Sequence, residues 1–275
     1  MKILKIISSS LFAIILLCAQ TQISSCKKET ITIIIKDTIR IVDSSSCYNL
    51  TDGLIAYYNF KNGSINDLSG NNNNISFNNA VVTTDRFGKA NNAYLFNGSS
   101  YMRVPNNATL NPKFISIMAV VKPNAFYTGN CNANNILCKG TNSNPTGVYG
   151  LQFFSASPCN VPADTSKEYF GGFFGDTSPG PAAAAIADSA FIHTGQWYNV
   201  VYTYDGATSN LYINGSLKKS QIIPAVVNGN SQDIFIGKYD NPQFPYWFTG
   251  VIDEIRIYNR ALCDCEVKSL NKLKE

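Results

Sequence analysis

The chain has 275 residues, of which 45% are hydrophobic and only 15% are charged, and its formal net charge is +4. The low charged fraction excludes a coiled coil or helical bundle, and the high hydrophobic fraction argues against disorder. The 15 tyrosines, 16 phenylalanines and 32 asparagines indicate an all-β domain with many turns. No basic block predicts a nucleic-acid partner, and a single histidine argues against a zinc site.

Residues 1–25 are predicted to be a lipoprotein signal peptide. Lys2 and Lys5 precede an apolar stretch, Leu11–Ala19, that is too short to span a bilayer. Ile23–Cys26 resembles a bacterial lipobox, in which the peptidase cuts before a lipidated cysteine, so Cys26 is the predicted anchor. Several acyl chains on one residue hold a protein firmly to a membrane. We therefore expect an outer-membrane lipoprotein of the cell envelope, facing the periplasm or the surface; ordinary secretion is the alternative.

Residues 26–47 are predicted to form an extended stalk. Lys27–Asp43 mixes β-branched and charged residues without Gly or Pro, and a lone strand there would have nothing to pair with. Ser44–Ser46 would then be a flexible joint. The segment resembles the stalks that follow the lipidated cysteine of Bacteroidetes lipoproteins.

Residues 48–275 alternate short apolar segments with turn residues, as a sandwich or barrel does. Asn97-Gly98 and Asn214-Gly215 each predict a tight hairpin. A single helix is expected at about Asp264–Lys272, with Asp264 as its N-cap. The predicted strands are Gly53–Phe60, Ala93–Phe96, Tyr101–Val104, Phe114–Val121, Val148–Phe154, Tyr169–Phe174, Trp197–Tyr204, Leu211–Ile213, Ile234–Ile236 and Val251–Tyr258.

Seven motifs in order resemble the laminin-G-like jelly roll of the concanavalin A-like lectin/glucanase superfamily. They are GLIAYY at 53–58, DLSGN at 67–71, LFNG at 95–98, QWYNV at 196–200, YDG at 204–206, LYING at 211–215 and GVIDEIRIYNRAL at 250–262. The resemblance covers most of the chain. It implies a two-sheet antiparallel jelly-roll β-sandwich with a short C-terminal helix. Trp197 would fill the space between the sheets.

The resemblance also implies a structural calcium ion at the sandwich edge. Calcium takes six to eight oxygen ligands. Asp253, which interrupts an apolar strand, is the leading candidate ligand, and Asp67, Asn97 and Gly98 are the further ones. The alternative is that Asp253 bonds backbone amides or Arg256.

Six cysteines remain after the signal peptide and Cys26, an even number that an oxidising envelope could pair. By resemblance to a jelly roll, whose chain ends lie together, Cys47 is expected to pair with Cys263 or Cys265. Of the three cysteines in the loop-rich middle region, two are expected to pair with each other; reduced thiols are the alternative. These three are Cys131, Cys138 and Cys159.

No catalytic residue is predicted. Glucanases of this superfamily carry two carboxylates on one strand in a Glu-x-Asp-x-(x)-Glu motif. None of the five glutamates of this chain occurs in such a motif. Asp253 and Glu254 are adjacent, so strand alternation should point them to opposite faces. His193 lies near no nucleophile or metal-ligand motif and is expected in a turn or on the surface. A glycoside-hydrolase-like enzyme is therefore the least favoured function.

Glycan binding is the favoured function. The segment Lys238–Phe248 gathers Tyr239, Phe244, Tyr246 and Trp247 around two prolines. Exposed rings stack on sugar faces, and prolines reduce the entropic cost of ordering the loop. The alternatives are that some of these rings belong to the core, or that the domain binds a surface protein of an envelope assembly.

Overall fold

The computed structural model describes residues 31–35, 38–42, 49–129, 133–141, 144–155, 167–176 and 186–273. Cys26, Cys47, Cys131 and Cys159 lie outside these ranges. The chain divides into two units, residues 1–44 and 45–275. Within the described ranges, no helix has the length and apolar character needed to cross a bilayer.

In the first unit, two strands pair with each other. β1 (Ile31–Ile35) runs antiparallel to β2 (Thr38–Val42), with Ile31 opposite Val42 and Ile35 opposite Thr38. The expectation that a strand in this segment would have nothing to pair with is therefore wrong, whereas the role of residues 26–47 as a stalk stays a prediction. The β-branched residues that favour a strand occur on both sides of a two-residue connection, so the segment supplies its own partner.

The second unit is a sandwich of two antiparallel sheets. The strands of the eight-stranded sheet are β3 (Leu54–Tyr58), β5 (Val81–Thr83), β6 (Ala93–Asn97), β8 (Ile115–Ala125), β13 (Tyr198–Tyr204), β14 (Thr208–Ile213), β15 (Ser216–Ile222) and β17 (Thr249–Tyr258). Their order is β15-β14-β13-β8-β17-β6-β5, and β3 also pairs with β17.

The strands of the seven-stranded sheet are β4 (Phe77–Asn78), β7 (Met102–Val104), β9 (Ala133–Thr141), β10 (Asn144–Phe154), β11 (Lys167–Gly175), β12 (Ile186–His193) and β16 (Ile234–Ile236). Their order is β12-β11-β10-β9-β16-β7-β4. Short 3-10 turns occur at Lys61–Gly63 and Ala108–Leu110. The predicted fold class, an all-β jelly-roll sandwich with a short C-terminal helix, is confirmed.

Strand alternation sends one side of each strand into the core between the sheets. In β13, Val200 and Tyr202 are buried in that core, whereas Val201 is buried on the outer side. Trp197 packs with this outer cluster, half-buried, and not between the sheets as predicted. The core position that the motif offered to Trp197 is taken by Tyr198.

The outer side of the eight-stranded sheet, the helix-covered face, lies under helix α1 (Asp264–Lys272). Val267 and Leu270 of α1 belong to the cluster that includes Met118, Val120 and Val201 of this sheet. The helix bounds agree with the sequence prediction, but the N-cap is Cys263 rather than Asp264. The backbone N–H of Cys263 donates to the Glu266 carboxylate at 3.0 Å.

The two predicted Asn-Gly hairpins have different outcomes. Asn214-Gly215 joins β14 to β15 as predicted, with φ of 51° and 74° in the left-handed region that this tight turn requires. Asn97-Gly98 instead connects β6 of one sheet to β7 of the other. It is a crossing between the sheets, so the hairpin prediction there is wrong.

Candidate functional site

The predicted calcium ligands lie at separate places on the sandwich. Asn97, beside Gly98, pairs with Thr249 at the start of β17. Asp253 is four residues further along that strand, about 13 Å away at ~3.3 Å per residue. Asp67 lies in the loop after β3. Among the described residues, no three His, Cys, Asp or Glu side chains are grouped so that they could hold a metal ion.

The predicted ligands are also engaged in other hydrogen bonds. Asp67 accepts from the backbone N–H of Tyr57 at 2.9 Å and of Asn73 at 2.9 Å. Asn97 Oδ1 accepts from the backbone N–H of Ser99 at 3.0 Å. The residues named from the sequence therefore do not fit one shared calcium site. Calcium binding itself stays a prediction.

Asp253 and Glu254 contact the same guanidinium. Ile252 and Glu254 pair with consecutive residues of β8, so Asp253 is an extra residue in β17. Such a β-bulge breaks the side-chain alternation of a strand. Arg86 Nη1 donates to Asp253 Oδ2 at 2.8 Å, and Arg86 Nη2 donates to Glu254 Oε2 at 3.1 Å. The prediction that these carboxylates point to opposite faces is wrong.

A tight loop after β5 presents Arg86 to this strand. Asp85 accepts from the backbone N–H groups of Phe87 and Lys89 at 2.8 and 2.9 Å. On the other side of Glu254, Arg256 Nε donates to Glu254 Oε1 at 2.6 Å. Both oxygens of Glu254 are therefore bound by guanidinium groups.

Asp253 is the least well compensated member of this cluster. Its side chain is 1% exposed, and burial raises its pKa to about 6 although Arg86 opposes the rise. Its Oδ1 has no hydrogen-bond partner among the described residues. An acceptor in this state is destabilising unless a water or another donor reaches it.

The loop of residues 238–248 divides the four predicted stacking residues into two groups. Tyr239 is buried, and its ring lies 5.6 Å from that of Tyr246, centroid to centroid. The Phe244 ring lies 6.1 Å from the Tyr246 ring. These three rings hold the loop together, and Tyr239 offers no exposed stacking surface, contrary to its prediction. Trp247 is half-buried and points away from this group, toward Tyr101.

Trp247 belongs to an aromatic patch on the outer side of the seven-stranded sheet, the aromatic face. Tyr101 lies at the centre of the patch. Its ring centroid is 4.7 Å from that of Phe77, 5.9 Å from that of Phe235 and 6.3 Å from that of Trp247. Phe77 and Phe235 lie on either side of β7, because each pairs with Arg103 of that strand. Of these four rings only Trp247 was predicted from the sequence, since strand pairing brings the other three together.

Charged groups border the aromatic patch. Lys238 Nζ lies 4.7 Å from the Tyr101 ring centroid, 5.9 Å from that of Trp247 and 3.2 Å from Asp240 Oδ1. Arg103 is 46% exposed and lies 3.8 Å from Asp233. The patch thus offers apolar ring surface beside polar groups that can donate and accept hydrogen bonds.

The cysteines differ in state. Cys263 is disulfide-bonded. Cys138 is a free thiol, so it is wrong as a disulfide candidate and is not one of the two cysteines expected to pair among Cys131, Cys138 and Cys159. It is fully buried on β9, where Sγ lies 3.7 Å from the carbonyl oxygen of Lys238, and burial raises its pKa to about 12. Cys265 is half-buried in the first turn of α1.

A buried carboxyl group was missed by sequence reasoning. Glu168 of β11 is 1% exposed, and its carboxyl group accepts a hydrogen bond from the Asn134 side chain. Burial raises the pKa of Glu168 to about 9, so it is protonated at neutral pH. Neither side-chain polar atom of neighbouring Asn135 has a hydrogen-bond partner within the described ranges. His193 is exposed at the end of β12.

The two antiparallel sheets define a jelly-roll sandwich domain. A family profile described as the concanavalin A-like lectin/glucanases superfamily, Laminin_G_3, matches residues 96–268, more than half of the chain. The chain therefore belongs to this laminin-G-like family. A search of the curated proteins found no match.

Solved structures of low sequence identity share the fold. Domain 4 of AbnA, a GH43 extracellular arabinanase from Geobacillus stearothermophilus in complex with arabinotriose, has 24% identity and a TM-score of 0.56, with 80% of this chain and 98% of that one covered. The binding domain of Paraclostridial Mosquitocidal Protein 1 has 18% identity and a TM-score of 0.59, with 81% and 52% covered.

A botulinum neurotoxin type C structure, titled for its interaction with two ganglioside molecules, has 14% identity and a TM-score of 0.56, with 81% and 51% covered. This chain spans about half the length of these toxin domains. The structures it resembles are mainly binding domains, in a superfamily that also includes glucanases.

Proposed function

We propose that this chain is a non-catalytic carbohydrate-binding or adhesion module of the cell envelope, and that the aromatic patch contacts the glycan. The observation that carries the proposal is the placement of Trp247 beside Tyr101 on an outer sheet face, with Lys238 and Arg103 at the border. Aromatic rings cover the apolar faces of sugars, and the bordering polar groups bind hydroxyls.

Two of the structures with this fold support a carbohydrate ligand. One is titled as a complex with arabinotriose, and another names ganglioside molecules as its interaction partners. The carboxylates offer little support for catalysis. Glu254 is bound on both oxygens by Arg86 and Arg256, and Asp253 is bound by Arg86. A hydrolase needs one carboxylate free to attack or to activate water.

A glycan array on the wild-type chain and on Trp247→Ala tests the proposal. We expect wild type to bind a subset of glycans and Trp247→Ala to bind them at least about tenfold more weakly, as for the truncation of a central aromatic residue. Phe114→Ala is the matched control, because Phe114 is also an exposed ring, 44% accessible, but lies outside the patch. Equal losses in both variants would contradict a specific role for the patch.

The alternative function, binding to a surface protein of an envelope assembly, has its own outcome in this experiment. The absence of sugar binding in both wild type and Trp247→Ala would favour it. An envelope location is part of the proposal as well, and it rests on the lipobox-like Ile23–Cys26. Radiolabelled palmitate should label the wild-type chain and not Cys26→Ala; labelling of both would place the acylation elsewhere.

A further inference from the structure

A cleft opens on the helix-covered face, on the side of the sandwich opposite to the aromatic patch. It has a volume of about 270 Å³ and lies where the end of α1 meets the turn between β14 and β15. The residues that matter for its chemistry are Arg86, Trp197, Asn199, Asn214 and Asn271. None of them was predicted from the sequence as a ligand-binding residue.

The base of the cleft holds a polar side chain with an unmet hydrogen-bonding requirement. Asn199 is only 7% exposed, and its Oδ1 has no partner among the described residues. The backbone of Asn199 is fixed, since its N–H donates to Asn214 Oδ1 at 2.9 Å and its carbonyl accepts from the Asn214 N–H at 2.8 Å. A buried polar atom without a partner is destabilising, and a group that enters the cleft can relieve this.

The cleft carries little uncompensated charge. Arg86 is its charged wall residue, and that guanidinium is bound by Asp253 at 2.8 Å and by Glu254 at 3.1 Å. Because both carboxylates are buried, they compensate Arg86 at short range with little screening by solvent. An anionic ligand would therefore gain little here, and a neutral ligand fits better.

The remaining walls suit a hydroxylated ring. Trp197 is half-buried with Lys122 Nζ 5.2 Å from its ring centroid, and Asn214 and Asn271 are exposed at the rim. The Asn271 amide offers both donors and an acceptor, as hydroxyl groups require, and the Asn214 amide adds its N–H donors, since its Oδ1 accepts from the Asn199 N–H. A half-turn of the Asn199 amide exchanges its oxygen and nitrogen, so it can meet either partner of a hydroxyl.

From these contacts we propose that the cleft is a second binding site, separate from the aromatic patch, for one neutral sugar residue. Its volume lies just below the range of about 300–1,000 Å³ typical of small-molecule sites, which suits a single ring rather than a chain. The site does not depend on the function proposed for the aromatic patch, because the two share no residue.

The two tryptophans of the chain allow each site to be observed separately. Trp197 and Trp247 are the only two, so Trp247→Phe leaves Trp197 as the sole reporter of the cleft, and Trp197→Phe leaves Trp247 for the patch. The probes are glucose, galactose, mannose, arabinose and N-acetylglucosamine, each titrated into the full-length chain. We expect a saturable change of Trp197 emission with at least one of these sugars.

Variants in the Trp247→Phe background test the assignment of the cleft. Asn199→Leu should abolish the saturable change without lowering the melting temperature, because it replaces a buried polar group that lacks a partner with an apolar one of similar size. Asn210→Leu, on the same sheet but away from the cleft, should keep the change. Asn271→Ala, at the exposed rim, should weaken binding roughly fivefold, as the loss of one hydrogen bond does.

The proposal is overturned if no sugar in the panel changes Trp197 emission saturably. It is also overturned if Asn199→Leu folds and retains the response, or if Asn199→Leu does not fold and Asn271→Ala binds as tightly as its parent. A response of Trp247 without one of Trp197 would support the patch alone. The converse result would support the cleft and remove the proposed function of the patch.

Discussion

The two outer faces of this sandwich each carry one tryptophan with a lysine ammonium beside it, but they treat charge in opposite ways. On the aromatic face, Arg103 is exposed and lies 3.8 Å from Asp233. On the helix-covered face, Arg86 is 14% exposed and is bound to Asp253, which is 1% exposed. The comparison shows that a jelly roll can carry a solvent-exposed ion pair on one face and a buried ion pair that stabilises the fold on the other.

The buried ionic cluster should separate the two faces most clearly. Arg86→Leu leaves Asp253 and Glu254 buried beside each other, and we expect a loss of about 3–5 kcal/mol of unfolding free energy. Arg103→Leu on the aromatic face should cost less than about 1 kcal/mol, because its ion pair is exposed and screened. Urea denaturation of both variants measures the difference. Similar losses would mean that the two faces do not differ in this way.

Ionisation of the buried Glu168 should change the unfolding free energy by a smaller amount. The unfolded chain ionises Glu168 near its ordinary value of 4.5, whereas the folded chain does so at about 9. The folded state therefore holds one more proton between these values, and stability should fall as pH rises, by about 1.4 kcal/mol per pH unit.

The useful window for this measurement is about pH 6.5 to 7.5. It lies above the pKa of Asp253, about 6, and below that of Lys139, which burial lowers to about 8. Glu168→Gln keeps the shape of the protonated acid and should flatten the slope. Asp253→Asn is the control and should change the slope little above about pH 7, where Asp253 is ionised in both the folded and the unfolded chain. A slope that survives Glu168→Gln would show that another group titrates.

The hydrogen bond that attaches α1 to the helix-covered face should contribute a similar or smaller amount to the unfolding free energy. Tyr212 of β14 donates its hydroxyl to Asp264 at 2.7 Å, at the first turn of the helix. Tyr212→Phe should lower the unfolding free energy by about 1 kcal/mol, the usual net value of one hydrogen bond. The affinity of glycans for the aromatic face should not change, because that patch lies on the other sheet. A matching loss of affinity would show that the faces are coupled.

The smallest difference between the faces is expected in the effect of calcium on the melting temperature. Melting temperatures in excess calcium and in chelator are compared for wild type and Asp253→Ala. We expect any rise with calcium to survive Asp253→Ala, because Arg86 is bound to Asp253 Oδ2 and, among the described residues, no group of acidic side chains that could hold an ion includes Asp253. A rise that this substitution abolishes would place the ion at the bulge and overturn that expectation.

Much of the fold followed from pattern in the sequence. The apolar run at β8, the turn at Asn214-Gly215 and the helix at Asp264–Lys272 were all predictable, since each depends on neighbours within a few residues. The crossing at Asn97-Gly98 was not, because an Asn-Gly turn serves as well between sheets as within one.

The sites depend on long-range register and were largely hidden. The sequence of an apolar strand does not predict a β-bulge, yet the extra residue at Asp253 turns two carboxylates toward Arg86. Trp247 was identified as a surface candidate from its loop, whereas Tyr101 and Phe77 come from strands far away in the chain. Trp197 and Asn199 lay inside a recognised motif that suggested only core packing.

The rate at which the buried Cys138 thiol is chemically modified can report how often the structure around it opens. With a pKa of about 12, it stays protonated at neutral pH, and burial on β9 also shields it from reagents. We expect it to be alkylated or oxidised when β9 separates from the loop that follows β16, because the carbonyl oxygen of Lys238 in that loop lies 3.7 Å from Sγ. The rate of modification therefore measures how often this separation occurs. A ligand on the aromatic face should lower that rate, because Lys238 of the loop borders the aromatic patch and its carbonyl oxygen contacts the sulfur.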